Sequence, residues 1–152
     1  MLRQQLSDAL KSAMLNKEAR TVSTVRLILA ALKDRDIAVR PKGIADGIGD
    51  DDIRQMLQSM IKQRNESIAL YEQGGRLELA QQEREEITII ERFLPRQMAE
   101  DEIAEAVAAV VIEVGAVGIK EMGRVMAALK ERYPGQMDFA KAGLHAKKVL
   151  GG

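Results

Sequence analysis

Apolar side chains recur at steps of three and four residues along almost the whole chain, and they rarely alternate with polar ones. Such steps place side chains on one face of an α-helix, whereas alternation is typical of a half-buried β-strand. The first two apolar stripes comprise Leu2, Leu6, Ala9, Leu10, Ala13 and Met14, and then Val22, Val25, Ile28, Leu29 and Leu32. The spacing therefore predicts an all-α fold.

The amino-acid composition supports a helical core. Hydrophobic residues make up 46% of the 152 residues but aromatic residues only 3%, so Leu, Ile, Val, Ala and Met must fill the interior. Such side chains suit helices packed on helices. The absence of cysteine excludes disulfides and cysteine nucleophiles. No segment approaches the ~18 apolar residues of a membrane span, and the first residues lack an apolar signal region. We expect a soluble, unexported, cytoplasmic protein without membrane contact.

Glycine and proline mark the expected boundaries. Residues 41–49 contain one Pro and three Gly, which oppose any helix. Gly74 and Gly75 predict a tight turn, and Pro95 disfavours helix at Leu94. The predicted helices of the first part are residues 2–16, 18–40, 51–73 and 76–94, with a linker at 41–50. We expect an N-terminal helical hairpin subdomain of residues 1–94, followed by a compact three-helix module of residues 95–152.

Polar residues at helix starts and one cation inside a stripe add detail. Asp50 and its two acidic neighbours are expected to cap the third helix, and Asp138 to cap the last. Arg64 interrupts the apolar stripe of the third helix. Two interpretations remain open: the side chain lies at the edge of the stripe with its stem buried, or it pairs with a carboxylate across a helix interface.

Charge is balanced overall but not along the chain. The 23 basic and 23 acidic residues give a net charge of zero. Residues 1–40 carry eight basic and four acidic side chains, and residues 117–152 carry seven and three. Residues 41–116 are acidic. This segregation fits a polyanion bound at one end, or ends held against the middle within one protein.

Residues with catalytic or metal-binding chemistry are scarce. His145 is the single histidine, so a His-based metal site and a Glu-x-x-His dimetal bundle are both excluded. The acidic run of the predicted fourth helix fits a solvated face, and it comprises Glu83, Glu85, Glu86 and Glu91. The glycines of residues 43–49 lack the lysine and the strand of a P-loop. We expect no catalytic residue, no metal and no cofactor.

The sixth predicted helix carries an internal glycine and two cations on its solvent-facing side. Gly123 and Gly143 each cost about 1 kcal/mol relative to Ala in a helix interior. Close helix packing or close approach to a sugar-phosphate backbone would offset that cost, and both explanations stay open. Lys120 and Arg124 lie on the outer side, whereas Met122 belongs to the core face.

Several motifs, in order, resemble the GatB/YqeY family over nearly the whole chain. These motifs are Thr24-Val25-Arg26, Ile61-Lys62-Gln63-Arg64, Ser67-Ile68, Gly75-Arg76 with Leu79, Glu83 with Glu86-Ile87, Phe93-Leu94-Pro95, Met122-Gly123-Arg124-Val125-Met126 and Gly135-Gln136-Met137-Asp138-Phe139. The last part is similar to the tail domain of the B subunit of the Asp/Glu-tRNA(Asn/Gln) amidotransferase. Ala99 departs from the family, which often has a serine cap there, and this questions the start of the fifth helix.

The resemblance implies a C-terminal three-helix GatB/YqeY motif of the kind expected to hold tRNA while other domains perform the chemistry. The candidate phosphate contacts are Lys120, Arg124, Lys130, Lys141, Lys147 and Lys148. The motif positions assigned a structural role are Gly123, Met122, Met126, Arg64 and Pro95. Shape and charge would dominate such binding, with strong salt dependence.

Three functions remain open at this point. The first is a non-catalytic RNA-binding module whose partner is tRNA. The second is an accessory component of glutamine-dependent carbon-nitrogen ligation, with a tRNA-synthetase or amidotransferase-type protein as partner. The third is a helical adaptor for another protein, which would gain support if Met56, Met60, Met122 or Met126 were exposed.

Overall fold

The computed structural model describes residues 1–151, which form seven α-helices and no β-strand. The helices are α1 (Leu2–Leu15), α2 (Ala19–Val39), α3 (Asp50–Gln73), α4 (Leu77–Glu91), α5 (Glu100–Val114), α6 (Met122–Arg132) and α7 (Phe139–Gly151). There are also two single turns of 3-10 helix. Arg40–Lys42 follows α2, and Ile119–Glu121 precedes α6. The predicted all-α class is confirmed.

The chain divides into two compact units, one from Met1 to Leu94 and one that begins at Pro95. Each unit has its own apolar core. In the first unit, α3 and α4 form a hairpin, α2 packs on α4, and α1 packs on α2. Gly75 closes the hairpin with a backbone φ of +72°, a left-handed conformation that glycine adopts without strain. The largest fully buried side chains of this core are Leu6, Ile28, Ile53, Met56, Leu57 and Ile90.

Helix α4 ends at Glu91, three residues before the predicted end at residue 94. The amide groups of Arg92, Phe93 and Leu94 donate to the carbonyl groups three residues earlier, so the last turn tightens rather than continuing as α-helix. Pro95 accounts for this, because its ring disfavours the α conformation at Leu94.

The predicted linker at residues 41–50 is an ordered part of the first unit. Its second half is the strap, which we define as residues 43–49. Arg3 of α1 binds both carboxylate oxygens of Asp36 in α2 at 2.5 and 2.7 Å, and it also donates to the Ile48 carbonyl at 2.9 Å. The Ile48 amide donates to Asp36 at 3.0 Å, and the Ile48 side chain is 8% exposed. This segment connects α2 to α3 without α-helix, and an ion pair and a buried side chain hold it in place.

Gly47 is required where the strap meets that ion pair. Its φ is +85°, and a Cβ atom at this position would lie 2.3 Å from Asp36 Oδ1. The hydrogen bond from Arg3 also lowers the pKa of Asp36, with a further contribution from the Ile48 amide. Asp36 therefore remains ionised where the strap needs an acceptor.

Two predictions for the first unit were wrong. The Asp50 side chain does not cap α3, since the N-cap is Gly49 without a side-chain bond. Asp50 Oδ1 instead accepts from the Leu2 amide at 3.3 Å, which satisfies a free N–H group at the start of α1. Met14 was assigned to the buried stripe of α1 but is 52% exposed, because the packed face of the last turn carries Ala13 and the next residue along a helix points to a different side.

In the second unit, α5, α6 and α7 pack on one another. The fully buried side chains at the centre are Val107, Val110, Val125, Leu129, Met137, Ala142 and Ala146. Asp138 caps α7 as predicted, since its Oδ1 accepts from the Ala140 amide at 2.9 Å. Ala99 cannot cap α5 through its side chain. Glu102 accepts from the Ala99 amide at 3.0 Å and binds Arg96, and these bonds lower the Glu102 pKa to about 2.

Candidate nucleic-acid interface

Helices α6 and α7 run antiparallel, and three contacts fix their alignment. At one end, the Ile119 side chain lies close to Gly151, where a Cβ atom would be 2.9 Å from Ile119 Cδ1. In the middle, Met122 Cε would be 3.7 Å from a Cβ on Gly143. At the other end, Lys130 Nζ lies 5.9 Å from the centroid of the Phe139 ring. The segments that carry the six candidate cations therefore lie side by side.

Four of these six cations are exposed and form no ion pair within residues 1–151. They are Lys120, Lys141, Lys147 and Lys148, a set of lysines on more than one side of α7 and on the turn before α6 that we call the lysine face. Lys141 and Lys148 are two helical turns apart and lie on the side of α7 opposite the buried Ala142 and Ala146. Lys147 lies one turn beyond Gly143, on the side of α7 that faces α6.

The other two predicted cations have intramolecular partners. Arg124 donates to Glu121 Oε2 at 3.3 Å and to the Val114 carbonyl at the end of α5, although its side chain remains 60% exposed. Lys130 lies over the Phe139 ring in a cation-π contact. The predicted set thus separates into four unpaired lysines and two cations already engaged within the second unit.

The two internal glycines have different surroundings. A Cβ atom on Gly123 would meet no atom within 4 Å outside its own helix, so close packing does not explain this glycine. Gly143 faces Met122 at an ordinary van der Waals distance, consistent with a packing role. Met122 and Met126 are half-buried and pack against the core of the second unit. Gly123 therefore leaves the α6 backbone open to solvent.

The remaining motif residues, Arg64 and Pro95, do not belong to this interface. Pro95 is exposed at the start of the second unit. Arg64 lies in the first unit and pairs with carboxylates across a helix interface. Its Nε is 3.0 Å from Glu86 Oε2 and 3.8 Å from Glu83 Oε2. This confirms the second of the two interpretations of Arg64. Arg64 also donates to the Met60 carbonyl at 3.3 Å.

The assignment of the α4 glutamates to a solvated face was wrong for two of them. The Glu86 side chain is 9% exposed and the Glu83 side chain is 20% exposed. Burial and the neighbouring Glu86 charge raise the Glu83 pKa, while Arg64 opposes the shift. The signal was in the sequence, because the buried residues Ala80 and Ile90 continue through positions 83 and 86 at helical steps.

Within residues 1–151, no group of three His, Asp or Glu side chains is placed to hold a metal ion. His145 Nε2 lies 3.8 Å from Glu100 Oε1, which gives an ion pair only when the imidazole is protonated. In the same residues, no helix combines the length and apolarity that crossing a bilayer requires.

Comparison with known proteins identifies relatives. Three fungal proteins, each named "Altered inheritance of mitochondria protein 41, mitochondrial", are similar to part of the chain. The Candida glabrata protein is 30% identical over 99 residues, which cover 63% of this chain and 53% of that protein. The Meyerozyma guilliermondii protein is 38% identical over 87 residues, covering 56% and 42%. The Eremothecium gossypii protein is 36% identical over 104 residues, covering 66% and 55%.

The chain spans about half the length of these curated relatives, and their printed names state a mitochondrial association for those proteins alone. A family profile described as "Yqey-like protein" matches residues 3–150, which is almost the entire chain. The chain therefore belongs to the YqeY-like family.

Proposed function

We propose that this chain is a non-catalytic RNA-binding protein whose second unit holds tRNA through the lysine face. The proposal depends mainly on one contrast in that unit: its arginines form ion pairs, whereas the lysines of the lysine face do not. Its arginines are engaged, with Arg96 bound to Glu102, Arg124 to Glu121 and Arg132 to Glu113. The four lysines of the lysine face have no such partner within residues 1–151. Unpaired, exposed ammonium groups are available to phosphates at no cost in broken ion pairs.

Two further features support the proposal. Residues 117–152 carry seven basic and three acidic side chains, so the segment with α6 and α7 is basic, although the acidic α5 makes the second unit neutral as a whole. Gly123 presents open backbone on α6, and a missing side chain permits a sugar-phosphate chain to approach closely. The similarity of this part of the sequence to the tail of the tRNA-dependent amidotransferase suggests tRNA among the RNAs. Our proposal places the protein in the cytoplasm.

A protein partner is the second candidate function, and exposed apolar side chains of the second unit favour it. Val117 is 87% exposed, Ile112 81% and Leu144 69%. The methionines, however, do not support an adaptor. Met56 and Met60 are buried, and Met122 and Met126 are half-buried in the core. We therefore rank RNA binding first.

The test is tRNA binding by fluorescence anisotropy across a salt series, with two charge-matched variants. The first variant changes the lysine face, Lys120, Lys141, Lys147 and Lys148, to Gln. The control variant changes Lys11, Lys33, Lys42 and Lys62 of the first unit to Gln; these lysines are also exposed. We expect the first variant to lose binding at least tenfold and the control to retain it, with melting temperatures unchanged. Equal losses, or no binding by the unmodified protein, would contradict the proposal.

A further inference from the structure

The second unit has no fully exposed aromatic ring for a base to stack on, since Tyr133 and Phe139 are both half-buried. The chain contains only two Tyr and two Phe, and no Trp. None of the four rings is exposed. Tyr133 and Phe139 pack against the core of the second unit, and Phe139 is also covered by Lys130. Proteins that bind single strands obtain much of their affinity by stacking bases on exposed rings. That source of affinity is missing here.

Arginine readout of bases is also restricted in this unit. A free guanidinium can bind a guanine edge with two hydrogen bonds or stack on an unpaired base. Arg96 instead binds Glu102 at 2.6 Å, Arg132 binds Glu113, and Arg124 binds Glu121 and the Val114 carbonyl. Direct readout of base sequence would compete with these contacts for the guanidinium donors, although each is a surface ion pair of the kind that contributes little to stability.

The lysine face retains a chemistry suited to phosphates. An ammonium group on a flexible stem is a point charge, and it contacts phosphate oxygens without reading the base. Lys141 and Lys148 are seven residues apart on one face of α7, so their backbone positions lie about 10 Å apart along a rigid helix. The helix fixes where these lysines are attached, and their flexible stems let the charges adjust to a ligand whose phosphates are already in place.

From this combination we infer that the lysine face binds the backbone of double-helical RNA, independently of base sequence, in preference to unpaired strands. The inference rests on the proposed function and specifies which part of an RNA is held. A flexible strand would lose conformational entropy on ordering along α6 and α7 without recovering it through stacking. A helical stem already has its phosphates in place and carries a higher charge density.

The experiment compares four ligands by anisotropy at the same ionic strength: tRNA, two 20-base-pair RNA duplexes of unrelated sequence, and unstructured single strands of matching length. We expect the two duplexes to bind within about twofold of each other and the strands to bind at least about tenfold more weakly. If all four lysines contact phosphates, log K against log salt for a duplex should have a slope of about −3.6. Changing the lysine face to Gln should abolish most of that slope, while the Lys11, Lys33, Lys42 and Lys62 control keeps it.

The outcomes separate this inference from the function on which it rests. Strands that bind as tightly as duplexes, with tRNA still bound through the lysine face, would overturn duplex preference and leave the RNA-binding function intact. A large affinity difference between the two duplexes would overturn sequence independence. Absence of binding to tRNA, duplexes and strands alike would overturn both the inference and the proposed function.

Discussion

Arg64 shows how a single residue can organise a buried polar site between two helices. Its guanidinium lies 3.0 Å from Glu86 and 3.8 Å from Glu83, and the three side chains are at most 20% exposed. Two carboxylates thus share one cation. The shorter contact gives Glu86 the stronger bond, while burial and the Glu86 charge raise the Glu83 pKa. Neutralising Glu83 and neutralising Glu86 should therefore change the stability of the protein differently.

We expect Glu86→Gln to lower the free energy of unfolding by about 2–3 kcal/mol at pH 7, because it removes the main charged partner of a buried guanidinium. Glu83→Gln should leave stability unchanged or raise it. A raised folded-state pKa means that Glu83 stabilises the fold in acid and that this contribution is lost as pH rises through the folded pKa. The advantage of Glu83→Gln should therefore vanish below the ordinary glutamate pKa of 4.5. Urea titrations at pH 4 and pH 7 measure both effects, and equal losses at pH 7 would contradict this assignment.

The sequence could predict that Arg64 was unusual, but not which of the two explanations was right. The choice depended on α4, where Glu83 and Glu86 were read as a solvated charge run. Charge composition favours that interpretation, whereas helical phase places both glutamates in line with Ala80 and Ile90. Phase decides burial, because it fixes which side of the helix faces its neighbour. Selecting the unpaired cations of the second unit met a similar difficulty. Which cations are engaged depends on contacts between helices, such as that of Arg132 in α6 with Glu113 in α5, and spacing along one helix does not reveal such contacts.

At the scale of the element, α6 combines a core face with an outer side on which Gly123 has no side chain. Val125 and Leu129 are fully buried, whereas Gly123, the second residue of the helix, opens to solvent. Glycine costs less in this first turn than in the helix interior that the sequence predicted. No close contact within residues 1–151 accounts for Gly123, so approach of a ligand backbone stays a hypothesis to be tested.

The change Gly123→Ala separates these two reasons. We expect it to raise the free energy of unfolding by at most about 0.5 kcal/mol. Alanine is the better helix former and its Cβ meets no other group, but Gly123 lies in the first turn rather than in the helix interior to which the full difference applies. RNA affinity should fall, because the methyl group occupies the place of the approaching backbone. Thermal melts and tRNA anisotropy on the same preparation measure the two changes. Ala127→Gly, on an exposed position one turn later, is the control that should lower stability without improving binding.

At the scale of the whole molecule, the chain consists of two units with separate cores. The helical periodicity sufficed to predict the all-α class and seven helices. The sequence pattern could not predict that residues 41–50 are held in place, because Pro and Gly indicate only that a helix is disfavoured there. What orders that segment is a contact with Arg3 and Asp36, far away in the sequence.

We expect residues 1–94 and 95–152 to fold when they are produced separately. Each should show helical circular dichroism and a cooperative melt, and the second fragment should be the less stable because a chain of this size buries only about 60% of its unfolded surface. The second fragment should also retain tRNA binding, since it carries the whole lysine face. Anisotropy and thermal melts on the two fragments test this, and an unfolded second fragment would contradict the independence of its core.

The Arg3 contact with the strap has a consequence for the order of folding. Arg3 and Asp36 are 33 residues apart, and Arg3 and Ile48 are 45 apart, so their contacts form only after long loops have closed. We expect Arg3→Met to accelerate unfolding and to leave the refolding rate nearly unchanged, as stopped-flow kinetics in urea would show. A slower refolding rate would instead place this contact in the folding nucleus. If the refolding rate is unchanged, the strap docks after the main barrier has been crossed. The segment whose composition suggests a break in the chain is then the place where folding of the first unit is completed.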